Sequence, residues 1–308
     1  MVRQLMVQNM IDKFSTHSEK HIKHKLGAYI ELMRFDKPVG IELLLWPTLW
    51  AVFFAAYAAG GLPSIKLVVI FTLGAVFMRS AGCVINDFAD RKIDGKIART
   101  KNRPLADGRI SSKQALMLFA VLVLMSASLL LWLPLKVSFW AVGALILASS
   151  YPFMKRITYG PQLVLGAAFS WAIPMAYVAV LGHTTPATWL LYAANLCWTV
   201  AYDTQYAMTD RADDLKAGVK STAIWFGRFD VLIITLLHGV FLLLLLFALW
   251  PSFGAFSLLA LPLPILLIAR QYKLYRTREP AACFTSFLQN AHVGRAVMLA
   301  VLLLCWWV

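Results

Sequence analysis

Seven of the fifteen acidic residues of this 308-residue chain fall in two short stretches, and their spacing is that of one helix face. In Asn86-Asp87-Phe88-Ala89-Asp90-Arg91-Lys92-Ile93-Asp94, residues Asn86, Asp90 and Asp94 are four apart, and Asp87 is three from Asp90. Such positions are neighbours on an α-helix, where like charges repel, so helix stability alone does not account for them. In the second stretch Asp203, Asp210 and Asp214 form one stripe if the helix continues, and Asp213 is expected to point elsewhere. Both clusters are followed by bases: Arg91, Lys92, Lys96, Arg99 and Arg103 in one, Arg211, Lys216 and Lys220 in the other. Carboxylates beside fixed cations suit a metal ion bound together with a polyanion. Magnesium takes octahedral oxygen coordination and bridges one or two carboxylates to substrate phosphates. Like unit charges ~4 Å apart at an effective dielectric of ~20 cost ~4 kcal/mol, so a diphosphate needs divalent cations between itself and these aspartates. The competing reading, ordinary surface charge at polar helix ends, leaves the concentration of acids unexplained.

Two further groups bear on the same chemistry. Tyr151-Pro152-Phe153-Met154-Lys155-Arg156 ends in two cations able to clamp phosphate oxygens. Arg79 precedes Asn86 by seven residues, close to two helical turns, which puts it on about the same face and ~10 Å deeper. An arginine inside an apolar segment needs a polar cavity and a partner. Two readings stay open for it: a structural ion pair with Glu42 or Asp36, or a seat for an anionic group of a substrate lying below the diphosphate. His17, His21 and His24 recur at i, i+4, i+7 but share their face with no carboxylate or thiolate, so a solvated basic face is the expectation. Cys83, Cys197, Cys283 and Cys305 are widely spaced, with no CxxC, and read as small apolar side chains.

The elements that must position these groups are membrane helices. Hydrophobic residues make up 60% of the chain and charged ones only 14%, with mean hydropathy +0.69; soluble chains carry about a quarter charged residues. The net charge of +14 is assigned to membrane orientation and anionic lipid rather than to nucleic acid. With about 20 apolar residues needed per crossing, the sequence predicts nine spans: 39–58, 65–85, 115–133, 137–153, 162–181, 187–207, 231–250, 254–269 and 288–308. The eighth is short and carries Pro262 and Pro264. Of the 29 Lys and Arg residues, 26 fall on one side and two, Lys66 and Lys136, on the other, with Arg79 inside a span. By the positive-inside rule the expected fold is an all-α integral membrane protein with nine transmembrane helices, its N-terminus cytoplasmic and its C-terminus on the opposite side. Trp132, Trp140, Trp189, Trp250, Trp306 and Trp307 gather near the opposite ends, as an outer aromatic belt would. Before the first span, Ile22, Leu26, Tyr29, Ile30 and Met33 suggest an amphipathic surface helix. The N-terminal stretch has no apolar core of signal-peptide length.

With these motifs in place the chain resembles the UbiA superfamily of intramembrane prenyltransferases, marked by NDxxDxxxD after the second helix and DxxxD after the sixth. Here those are Asn86–Asp94 and Asp210–Asp214. Within the superfamily, Arg34–Pro38, Trp46–Trp50, Ala98–Leu105, Tyr151–Arg156, Gly166–Phe169 and Ala201–Met208, continuing to Gly227, resemble the bacterial members acting on 4-hydroxybenzoate. The resemblance runs from about residue 26 to the end, leaving 1–25 as a basic extension and 26–308 as one nine-helix domain. It implies transfer of a polyprenyl group from polyprenyl diphosphate to the ring of 4-hydroxybenzoate, ortho to the hydroxyl, in ubiquinone synthesis at the bacterial inner membrane, with the active site facing the cytoplasm. It further implies Mg2+ on Asp90, Asp94, Asp210 and Asp214, with Asp87 and Asp203 in support and Asn86 orienting oxygen ligands. Arg91, Lys92, Lys155 and Arg156 would hold the diphosphate, and Arg79 and Arg34 the aromatic acid. Tyr151, Phe153 and Tyr202 are candidates to steady an allylic cation through their ring faces. Two rivals remain: the same chemistry on a naphthoate, homogentisate or haem acceptor, and a secondary transporter coupled through carboxylates, whose site would lie near the midplane.

Overall fold

The structure is a computed structural model describing residues 25–95 and 100–307; the expectations for His17, His21, Ile22, His24, Lys96 and Arg99 lie outside the described residues, as do the side chains of Lys92, Lys155 and Trp307. The described chain is all helical, without strands. A helical segment at 25–32 (α1) is followed by α2 (Val39–Ala58), α3 (Ile65–Asp94), α4 (Ser112–Leu129), α5 (Leu135–Ile157), α6 (Pro161–Ser170) and α7 (Ala172–Leu181). Then come α8 (Pro186–Ala217), α9 (Thr222–Phe226), α10 (Asp230–Phe253), α11 (Pro262–Tyr275) and α12 (Pro280–Trp307). Among the described residues, seven helical stretches are long and apolar enough to cross a membrane, which makes this a multi-pass membrane fold. The stretches expected at 187–207 and 254–269 are not among the seven. The first belongs to α8, whose cavity-facing and core polar groups dilute its apolarity, and the second is a 3-10 turn, Gly254–Ala260, leading into the 14-residue α11.

Several boundaries differ from the sequence reading, for physical reasons. Helix α3 runs nine residues past the expected end and α8 ten past its own, so both acidic motifs are helical throughout. The span expected as one helix at 162–181 is two, broken at Trp171. Pro174 has no N–H to return to Ser170, which removes a hydrogen bond at that turn. Pro262 and Pro264 open α11 instead of interrupting it, where a missing donor costs nothing. In α1 and the residue after it the packed face is Ala28, Tyr29, Leu32 and Met33, whereas Leu26 and Ile30 are exposed.

The core sits between α2, α7, α8, α10 and α12, around stacked Trp50, Trp198 and Phe241. A short polar network crosses it: Trp198 Nε1 donates to Asn290 Oδ1 at 3.0 Å, and Asn290 Nδ2 to Gln205 Oε1 at 3.0 Å. Unmet hydrogen bonds in an apolar interior are expensive, so this network fixes the register of α8 against α12. Trp132, Trp189, Trp250 and Trp306 are exposed, at the helix ends remote from the acidic motifs.

Candidate active site

Helices α3 and α8 carry their acids into one cavity of about 1370 Å³, above the ~300–1,000 Å³ usual for small-molecule pockets. Asn86, Asp87, Asp90 and Asp94 from α3 line it, as do Asp203, Asp210 and Asp214 from α8. Asp213, expected to point away, also reaches its rim, exposed and 3.9 Å from Lys216. The stripe on α8 survives to Asp214 because the helix stops only at Gly218, whose φ of +68° closes the C-terminus at low steric cost. From this acidic end the cavity continues past Met78, Phe169 and Leu145 to Leu133 and Met175, near the opposite ends of the helices. It is therefore a channel with its acids at one end and mainly apolar walls along the rest, broken by Arg79.

The acids are not equivalent. Both Asp87 oxygens are spent on arginines: Arg34 Nη2 lies 2.9 Å away and Arg103 Nη1 3.0 Å away. Arg103 also reaches Asp94 at 3.0 Å, so one guanidinium ties two aspartates that would otherwise repel. Burial pushes the Asp94 carboxyl above the usual carboxylate range, against the pull of Arg103. Arg103 is delivered by the segment returning from α3 to α4. There, Thr100 Oγ1 donates to the Asp94 carbonyl at 2.9 Å, Arg109 pairs with Glu31 of α1 at 2.6 Å, and Ile110 is buried against Ala28 and Leu32. Asn86 Oδ1 is buried with no hydrogen-bond partner among the described residues, on the cavity wall. Such an orphaned acceptor awaits a donor from a bound molecule or water.

The cations divide similarly. Arg156 lines the cavity and donates to the Ala89 carbonyl of α3 at 3.0 Å, holding α5 to the acidic helix. Lys220 lines it too, beside the Ile157 carbonyl at 3.2 Å. Arg91 folds back over the Phe88 ring, 4.1 Å from its centroid, and is not on the cavity wall. Arg34 is turned to Asp87 and to the Glu31 carbonyl. Arg79 pairs with neither Glu42 nor Asp36: Glu42 is held by Arg295 at 2.6 Å, and Asp36 has Lys37 at 3.9 Å. Arg79 instead donates from Nε to the Gly40 carbonyl at 3.1 Å and lies 5.5 Å over Phe169, inside the cavity. Of the expected aromatics Tyr151 is on the wall; Tyr202 is packed in the core against Trp198, and Phe153 is exposed off the wall. Tyr206 and Phe169 line it as well. Sequence reading left out Gly40 and the clamping role of Arg103. Only a fold that brings α2 and the 100–111 segment onto α3 reveals them.

Among the described residues no three carboxylate, imidazole or thiol groups converge as a ready-made metal site. The donor set still fits magnesium with a polyanion. That ion commonly takes one or two carboxylates and completes its shell with phosphate and water, and here two clusters of carboxylates line one chamber together with Arg156 and Lys220.

Comparison with known proteins falls in line with this geometry. The sequence pattern of the UbiA prenyltransferase family matches residues 44–306. A protein of Psychrobacter arcticus named 4-hydroxybenzoate octaprenyltransferase is 56% identical over 297 residues, 92% of this chain and 97% of that protein. The apo structure of a UbiA homologue from Aeropyrum pernix superposes with a TM-score of 0.74 at 22% identity, covering 86% of this chain and 97% of that one. A UbiA homologue from Archaeoglobus fulgidus, solved with DMAPP and Mg2+, gives 0.67 at 20% identity, covering 91% and 99%.

Proposed function

This chain belongs to the UbiA prenyltransferase family, and we propose from that premise that it transfers a polyprenyl group from its diphosphate to 4-hydroxybenzoate. The observation that carries the reading is the shared chamber, with acids from α3 and α8 at one end and an apolar channel beyond. The diphosphate lies at the acidic end and the polyprenyl tail along the channel, where each buried methylene contributes ~0.8 kcal/mol. Asp90, Asp94, Asp210 and Asp214 would hold Mg2+, which when bound offsets the charge of the diphosphate. Asp87 works indirectly, keeping Arg34 and Arg103 in place, and Asp203 supports the α8 side. In this reading Arg34 belongs to Asp87, leaving Arg79 as the seat for the acceptor's carboxylate.

The chain's own groups then act in sequence. Asn86, through its unpaired Oδ1, orients a donor at the diphosphate. Arg156 and Lys220, with Lys155, Arg91 and Lys92 as further candidates, stabilise charge on the departing diphosphate. Tyr151 and the apolar walls exclude water from the allylic carbon. As the C–O bond to diphosphate breaks, the electron-rich phenol ring forms the new C–C bond and then gives up the proton of that ring carbon, restoring aromaticity. No side-chain nucleophile is needed.

The same reading includes nine crossings, with α8 and the Gly254–Tyr275 stretch counted beside the seven apolar helices, and the acidic ends in the cytoplasm. The asymmetry of Lys and Arg supports that orientation. The test uses membranes containing the protein, 4-hydroxybenzoate and a polyprenyl diphosphate, with Mg2+ or with chelator. Prenylated acid forming only with Mg2+ is expected; product formed equally under chelation would remove the metal from the reaction.

A further inference from the structure

Gly40, at the start of α2, stands against the guanidinium of Arg79. A Cβ built there would lie 2.6 Å from Arg79 Nη2, 2.8 Å from Nε and 3.1 Å from Cζ, well inside contact distance. The same residue's carbonyl accepts from Nε at 3.1 Å. Phe169 of α6 covers the guanidinium, 5.5 Å from ring centroid to Cζ. Three helices thus fix one cation inside the channel. Its terminal nitrogens have no hydrogen-bond partner among the described residues. Glu42, two residues further along α2, is taken by Arg295 and Trp46, so this cation has no acid of its own on that helix.

We propose that Gly40 is a positioning residue for the acceptor. By having no side chain, it lets the Arg79 guanidinium lie flat against the α2 backbone, with its fork turned to the cavity for a planar carboxylate. Guanidinium recognises carboxylate through parallel N–H bonds whose geometry matters as much as their charge. Any side chain at position 40 pushes the fork off the Gly40 carbonyl and away from that alignment. Because Arg79 is the flexible partner, the cost falls on its position and not on the α2 backbone. The inference rests on the prenyl-transfer reading for the identity of the acid, but the seat itself is a statement about anion binding.

The experiment compares wild type, Gly40→Ala, Arg79→Ala and the double variant by two readouts: steady-state transfer, and equilibrium binding of 4-hydroxybenzoate to the purified protein. Gly239→Ala, where a Cβ meets nothing within 4 Å, is the control and should match wild type. Gly40→Ala should raise the KM and Kd for the acid about tenfold, the scale of one charge-assisted hydrogen bond. Its kcat and its KM for the prenyl donor should stay within about twofold. In the Arg79→Ala background the same change should add nothing, since the group it displaces is gone. An unchanged KM and Kd, or an equal further loss on top of Arg79→Ala, overturns the proposal. Should Gly40→Ala fail to accumulate, the double variant set against Arg79→Ala decides: equal Kd supports the proposal and a weaker one sinks it. Wild type that binds the acid but makes no product would sink the transfer reading, while the Kd comparison still judges the seat.

Discussion

Asp90 and Asp210 sit on different helices and face the same chamber, and that makes them the sharpest residue-scale test. If both carry charge to the diphosphate end, neither can replace the other. Removing one preorganised electrostatic group typically costs 10²–10³ in kcat. Asp90→Ala and Asp210→Ala are each expected to lose at least that much turnover while membrane insertion, followed by fractionation and detergent extraction, stays normal. Near-normal rates in either would take that helix out of the reaction. Asp87 is a different case, because its carboxylate is buried and fully engaged by Arg34 and Arg103. Its place in the motif was legible from spacing alone, and its partners were not. A pairing across 53 or 16 residues follows from tertiary contact and leaves no periodic mark in the sequence. The same holds for Gly40, which in sequence is one glycine among seventeen.

At the scale of elements, what matters is how firmly the acidic ends of α3 and α8 are held, since both reach past the apolar part of their helices. Asp230, fully buried at the start of α10, anchors the second: it accepts from Arg211 of α8 and from Arg278, the latter at 2.8 Å, as well as from its neighbour's backbone N–H at 2.6 Å. Arg211 directly follows Asp210. Asp230→Ala, which does not touch the chamber wall, should therefore lower the melting temperature of the detergent-solubilised protein, with a cost of about 1–3 kcal/mol for lost charge-assisted bonds. It should also reduce kcat severalfold, because Asp210 and Asp214 lose their fixed register. A destabilised variant with unchanged kcat would show that α8 keeps its register without the anchor. The long apolar helices were readable to within a few residues because burial in lipid demands about 20 apolar positions in a row. The extensions were not: beyond Ala207 and Ile85 the residues are polar, and polarity there looks like a loop until a cavity is found for it. The break at Trp171 was equally hidden, since an apolar run says nothing about the hydrogen bond that Pro174 removes.

For the whole molecule the open quantity is the direction in which the chamber faces. The described structure puts every acid of the two motifs at one end of the bundle and four exposed tryptophans, Trp132, Trp189, Trp250 and Trp306, at the other. Lys and Arg follow the acids to their end, the asymmetry that the positive-inside rule expects of a cytoplasmic face. A labelling experiment separates the two orientations. Gly61→Cys, in the exposed turn after α2, lies at the tryptophan end, and Lys101→Cys, exposed in the segment after α3, lies at the acidic end. With the four native cysteines replaced, a membrane-impermeant thiol reagent added to intact cells stripped of their outer membrane should modify position 61 at once. Position 101 should react only after the membrane is opened. Cytoplasmic access for the acidic end also fits the chemistry, because an aromatic acid dissolves in the aqueous phase while a polyprenyl tail stays in lipid, and the chamber's charged mouth and greasy interior meet one from each. The reverse labelling pattern would turn the mouth outward and require both the acid and the departing diphosphate to be handled outside the cell.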